Sequence, residues 1–265
     1  MKIVLIGGSK QAGKTTTATA IYGFHLVQNG VIPNANIDEN GRMNIVFNKD
    51  TNEGIYFDID SREPSFLEYK NKYTSAYVNH VGFADELKRV CANQFGLTYS
   101  KLVGSNDEKN ELCHIKWKNM AKLLPQQKKK EFKEFIDGDN FMTNRQFMEV
   151  LGTDIFRTIY PDCHINSAYD RLKMLNPDIG LITDCRFSNE FEFFENIKDY
   201  DVIKIRLKRN PHKSNVASEI GLNEISDDRF DLVVPEDLSL PDRNNMVIEF
   251  LISKNVLSSS NIKAN

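Results

Sequence analysis

Apolar residues along this chain fall into short unbroken runs that alternate with stretches of helical spacing. Residues 3–6, Ile-Val-Leu-Ile, are continuously apolar and end in Gly7-Gly8. That pattern predicts a strand buried on both faces, as in a parallel sheet. A helix is predicted from about 13 to 28, with Ala18, Ile21, Tyr22 and Leu26 on one face and Asn29-Gly30 as its stop. Residues 43–47 and 54–59 flank a turn-rich segment and predict a β-hairpin. From Phe83 the helical period returns, with Leu87, Val90, Cys91 and Phe95 inward and Gly96 at the end. The Lys- and Glu-rich stretch 105–135 reads as helical. Thr143-x-x-Gln146 has the form of a capping box opening a helix with Phe147, Met148 and Leu151 inward. Further strands are predicted at 179–183, 202–207 and 230–234, and helices at 190–197 and 242–253. The alternation of buried strands with helices predicts an α/β fold around a parallel sheet.

Composition narrows the function. The 265 residues carry 34 Lys+Arg against 37 Asp+Glu, a net charge of −3. That balance argues against a protein gripping nucleic acid by bulk charge, but leaves room for a local anion site. Lys128-Lys129-Lys130 is the expected solvated face of a helix. No apolar run approaches the ~20 residues needed to span a bilayer. The first residues have too short an apolar stretch for a secretory signal. Cys91, Cys113, Cys163 and Cys185 are widely separated, without a CxxC. A reduced, cytoplasmic protein is expected. The five histidines show no metal spacing with the cysteines.

The most specific feature is Gly8-Ser9-Lys10-Gln11-Ala12-Gly13-Lys14-Thr15, an unbroken G-x-x-x-x-G-K-[ST]. Glycines let the backbone turn so that several N–H groups point at one phosphate. The following helix adds its positive end. Lys14 can reach the outer phosphates, and the Thr15 hydroxyl can ligate Mg²⁺. Thr16 is a further candidate contact. Lys10 is either a solvated loop lysine or a phosphate contact. Together these residues predict binding of ATP with Mg²⁺.

The run 179–183 leads to Asp184, Cys185 and Arg186. In open α/β sheets ligands sit beyond the carboxyl ends of the strands, which would put Asp184 near the phosphate loop. There it either orients the Mg²⁺ shell, holds a substrate group, or pairs with Arg186. Arg186 is a candidate for neutralising a transferring phosphate. Lys208, Arg209, Pro211, His212 and Lys213 form a basic loop, read either as a lid over the phosphates or as solvated surface.

Five segments taken together resemble the phage deoxynucleoside monophosphate kinases of the T-even type, and more distantly phosphomevalonate kinase. They are the phosphate loop with Lys10; Phe83-Ala84-Asp85-Glu86-Leu87-Lys88 with Phe95-Gly96-Leu97; Arg145 with Leu151-Gly152-Thr153-Asp154; Asp184-x-Arg186 with Glu190; and Ser218-Glu219-x-Gly221-Leu222 leading to Phe230-Asp231. The resemblance implies a P-loop NTPase fold of the nucleoside monophosphate kinase kind, one domain over 1–255. A β-hairpin insert at 31–75, a helical insert at 105–140 and a tail at 256–265 would elaborate it. It implies transfer of the γ-phosphoryl group of ATP to a deoxynucleoside monophosphate. Arg145 would bind the acceptor phosphate, Gly152 and Thr153 would line the acceptor pocket, and Asp85 and Lys88 would border it. Asp184 and Arg186 would sit at the reacting phosphates, and Glu219 would contact substrate or cap a loop. Two positions depart from the pattern: Thr15 stands where these kinases carry aspartate, and Gln11 where they carry arginine.

Other readings remain open at this point. A related P-loop kinase would take another small acceptor such as phosphomevalonate. A regulatory ATPase would use no small acceptor. The aromatic-rich chain could form a homodimer, although no pattern demands one.

Overall fold

A computed structural model describes residues 1–48, 53–59, 61, 64–209 and 225–258. The hairpin turn, Glu219, residues 211–213 of the basic loop and most of the tail lie outside the described residues. The chain divides into two compact units, Met1–Gly82 with Arg171–Asn265, and Phe83–Asp170. In chain order the strands are β1 (Lys2–Gly8), β2 (Ala35–Ile37), β3 (Met43–Asn48), β4 (Glu53–Phe57), β5 (Val78–His80), β6 (Leu112–Lys116), β7 (Phe141–Thr143), β8 (Ile179–Cys185), β9 (Asp201–Leu207) and β10 (Leu232–Val234).

The first unit is built on a five-stranded, wholly parallel sheet in the order β10-β9-β1-β8-β5. β1 lies at its centre because its run is apolar on both faces. Val4 and Ile6 join a cluster with Ile21, Tyr22 and Leu26 of the helix Lys14–Gln28 and with Val247 and Leu251 of the helix Leu240–Ser253. Ile3 and Leu5 face the other way by the two-residue period and are equally buried. Each such side chain contributes roughly 1.5–3 kcal/mol relative to exposure. The chain leaves β1 for the β5 edge, returns to β8, then passes β1 to reach β9 and β10. The order therefore reverses between β1 and β8, the place where doubly wound sheets bind ligands.

β5 escapes sequence reading because it is three residues long and contains a buried asparagine, whose Nδ2 donates to the Ser75 carbonyl at 2.5 Å. The helix Cys163–Leu175 is a further element that the sequence pattern does not predict. The last strand begins at Leu232 rather than Phe230.

The 31–75 segment is more than a hairpin. β3 and β4 pair as expected, and β2 adds a third antiparallel strand. A helix Pro64–Tyr69 and a π-helical turn Lys70–Thr74 follow. Buried polar contacts tie this turn down: the Tyr22 hydroxyl meets Thr74 Oγ1 at 2.7 Å, and Lys70 Nζ donates to the Ile59 carbonyl at 2.8 Å.

In the second unit the expected long helix over 105–135 is broken. Helices Asn106–Asn110, Trp117–Met120, Gln126–Glu131 and Lys133–Asp137 are separated by β6 and by turns, and β6 pairs antiparallel with β7. Tertiary burial overrides helix propensity here. Trp117 is buried in the core of this unit and stacks on Phe132 with ring centroids 4.3 Å apart. Pro125, extended at φ −58°, ψ 152°, marks the start of the next short helix.

Candidate functional site

The loop after β1 folds around Lys14. Its ammonium donates to the carbonyls of Gly8 and Ser9 at 2.6 and 2.7 Å, so the charge lies over the turn that precedes it. Two residues take left-handed conformations, Gln11 at φ 61° and Gly13 at φ 95°. Gly8 has a different reason to be glycine. A Cβ there would lie 3.1 Å from both the Ala12 side chain and the Leu207 carbonyl. The helix Lys14–Gln28 starts with no side-chain cap and no acidic residue in its first turn. Its dipole therefore presents positive potential that no acidic side chain of the first turn offsets.

This loop borders an open cavity of about 600 Å³, lined by Gly13, Lys14, Thr15 and Thr16 on one side. Arg209 and Arg243 line it too, and Glu39 and Asn40 join them from the turn between β2 and β3. That turn is tightly built. Asp38 Oδ1 accepts the N–H groups of Asn40 and Arg42 at 2.9 and 2.8 Å, and Oδ2 accepts Arg42 Nε at 3.0 Å. Lys10 is exposed and does not line this cavity. Lys208 and Arg209 part company: Lys208 forms an ion pair with Asp227, while Arg209 faces the cavity and its carbonyl accepts the Ser9 hydroxyl at 2.9 Å.

The end of β8 lies beside this loop. Cys185 is the register partner of Gly7, which sets Asp184 and Arg186 at the carboxyl edge next to the glycine-rich loop after β1. Burial pushes the Cys185 thiol well above its ordinary range, as do the nearby charges of Glu190 and Asp184, while Lys14 pulls the other way. Thr183 Oγ1 meets His80 Nε2 at 2.7 Å across β8 and β5. Glu190 opens the helix Ser188–Glu195, and its buried carboxylate accepts the backbone N–H groups of Arg186 and Phe187 at 2.6 and 3.0 Å.

Asp85, Lys88, Arg145, Gly152 and Thr153 belong to the second unit. Asp85 and Lys88 pair at 3.3 Å in the first turn of the helix Asp85–Phe95. The capping box forms in full, with Thr143 and Gln146 satisfying each other's N–H groups. It places Arg145 in the first turn of the helix Asn144–Glu149. The guanidinium donates to Asn110 Oδ1 at 3.0 Å and Asn106 Oδ1 at 2.8 Å. These neutral acceptors orient the charge without cancelling it. Gly152 and Thr153 lie in a π-helical turn, Val150–Phe156. Gly152 is buried, a Cβ on it would meet Leu87 Cδ2 at 2.6 Å, and its carbonyl faces His164 Nε2 at 3.2 Å. Thr153 is the exposed member of the two.

Sequence reading missed Arg243, Glu39, Asn40, Asn106 and Asn110. Arg243 carried a signal: it stands four and eight residues before the buried Val247 and Leu251, so it falls on the apolar stripe of its helix. The other four are ordinary polar residues of turns and a short helix, with no pattern to mark them.

Thr15 lines the cavity and Asp184 lies outside its lining, but both carry oxygen donors of the kind a hard cation takes. Thr15 offers an exposed hydroxyl, and Asp184 a carboxylate at the adjoining strand end. Among the described residues no group of three or more His, Cys, Asp or Glu side chains could hold a metal ion. A Mg²⁺ ion here would complete its shell with phosphate oxygens and water, its usual habit. Among the described residues no helix is long and apolar enough to cross a membrane. No protein-family model matches the chain, and no curated protein matches it.

Proposed function

We propose that the chain is a P-loop kinase that binds Mg²⁺·ATP at the loop after β1 and transfers the γ-phosphoryl group to a deoxynucleoside monophosphate. The observation that carries the reading is the loop itself. An intact eight-residue motif sits at the switch point of a five-stranded parallel sheet and opens onto a cavity of about 600 Å³. That volume is ordinary for a small-ligand site. The acceptor rests on the resemblance described above and on Arg145, an arginine whose guanidinium donates to two neutral asparagines.

The loop amides and the N-terminus of the first helix bind the outer phosphates, and Lys14 neutralises them. Thr15, with Asp184 nearby, would hold Mg²⁺, which supplies charge neutralisation at the phosphates. Arg186 sits at the strand end to meet charge developing on the transferred group, and Glu190 holds its backbone in place. The acceptor phosphate is already an anion at neutral pH, so no general base is needed. Catalysis is positioning and electrostatics.

A coupled ADP-release assay over a panel of deoxynucleoside and nucleoside monophosphates tests this. Turnover that requires a monophosphate is expected. Turnover with another phosphorylated acceptor alone would redirect the assignment within kinases, and acceptor-independent hydrolysis would replace it with an ATPase.

A further inference from the structure

We propose that Arg243, on the helix Leu240–Ser253 and outside the phosphate-loop motif, is a second phosphate-contacting cation of the same site. The inference rests on the nucleotide-binding reading and deepens it. Arg243 is 4 % exposed and lines the cavity beside Lys14. Its Nη1 donates to the Ala12 carbonyl at 3.0 Å. A Cβ built on Gly13 would lie 2.5–2.7 Å from Nη1, Cζ and Nη2, so the guanidinium lies flat against that glycine.

The electrostatics are unbalanced. Nε is buried with no hydrogen-bond partner, and among the described residues no carboxylate pairs with the guanidinium. Glu39 lines the same cavity but forms no ion pair with it among the described residues. Burial, and then the charge of Arg209, push the guanidinium below its ordinary range. A buried cation with one carbonyl partner is costly to maintain, and an anion is what removes the cost. Lys14, Arg209 and the uncapped start of the first helix add positive potential to the same cavity. The ligand that answers all of them is a polyanion such as the phosphate chain of a nucleoside di- or triphosphate. Arginine suits this place because its planar fork can keep the Ala12 carbonyl and still offer N–H groups to phosphate oxygens.

The test is ADP binding to the full chain by titration calorimetry at several salt concentrations, with Arg243→Gln and Arg243→Lys beside the unaltered protein. Arg243→Gln is expected to weaken ADP about 10- to 100-fold and to flatten the dependence of affinity on salt. Arg243→Lys should keep the salt dependence with intermediate affinity. An unchanged salt dependence in Arg243→Gln would reduce Arg243 to a prop for the loop and overturn the proposal. A second measurement does not need the Gln variant to fold. In arginine side-chain NMR spectra, the resonance lost in Arg243→Lys should shift when ADP is added to the unaltered protein. A resonance that stays in place while ADP binds overturns the proposal. Failure of the unaltered protein to bind ADP is a different result, and overturns the nucleotide reading itself.

Discussion

The carboxylate of Glu190, 1 % exposed, accepts the backbone N–H of Arg186 at 2.6 Å, joining the start of one helix to the end of the strand before it. A charged acceptor of this kind is worth roughly 1.5–3 kcal/mol. Glu190→Ala should therefore lose about that much stability in urea denaturation, and Glu190→Gln less, because its amide oxygen can still accept. Phosphoryl transfer should fall in both, through the displaced Arg186. Equal stability of the Ala variant and the unaltered protein would remove this role.

Lys14→Ala should lower phosphoryl transfer at least about a hundred-fold, the usual scale for removing one preorganised electrostatic contact. The side chain bonds the Gly8 and Ser9 carbonyls of its own loop, so the circular dichroism spectrum should keep its shape and the fold should persist. Activity near that of the unaltered protein would refute the site.

Gly13→Ala should cost about 1–2 kcal/mol from the left-handed backbone alone. The added methyl also meets the Arg243 guanidinium, so nucleotide affinity should drop together with stability. Denaturation and ADP titration on the same variant measure both. A stable variant that binds ADP normally would contradict the geometry of this turn.

Arg145→Ala should raise the KM for the monophosphate acceptor more than it lowers kcat, with the KM for ATP little changed. Asn110→Ala should act in the same direction but more weakly, since Asn106 still orients the guanidinium. Steady-state kinetics with each substrate varied separately decide this. A rise confined to the KM for ATP would assign Arg145 to the wrong substrate.

His25 is held below its ordinary range chiefly by burial, with Lys2 adding to the shift and Asp178 opposing it. Between its folded value and about 6.5 the unfolded chain binds the extra proton, so stability rises with pH across that window. The fold should be fully stabilised by this group above about pH 6.5 and should lose that contribution as acid is added. Unfolding midpoints followed from pH 7.5 downward should show the loss, and His25→Gln should flatten it. An equally steep loss in His25→Gln would assign it to other groups.

Several parts of this protein are written in local pattern. The continuous run at 3–6 needs both faces covered, which places it inside a parallel sheet. The residues 8–15 specify their own turn, and Thr143 with Gln146 specify a helix start that forms as read. These signals survive because each concerns groups within a few positions of one another. Tertiary structure decided the rest. β5 is too short to announce itself and exists because β8 offers it a partner. The stretch 105–135 has helical composition, yet burying Trp117 against Phe132 breaks it into pieces. Glu39, Asn40 and Arg243 reach the cavity from segments about 25 and 230 residues away from the 8–15 loop in the chain. Period and capping are set by near neighbours, and determine where strands and helices form. Which charge meets which cavity depends on how those elements cross, and no local pattern records that.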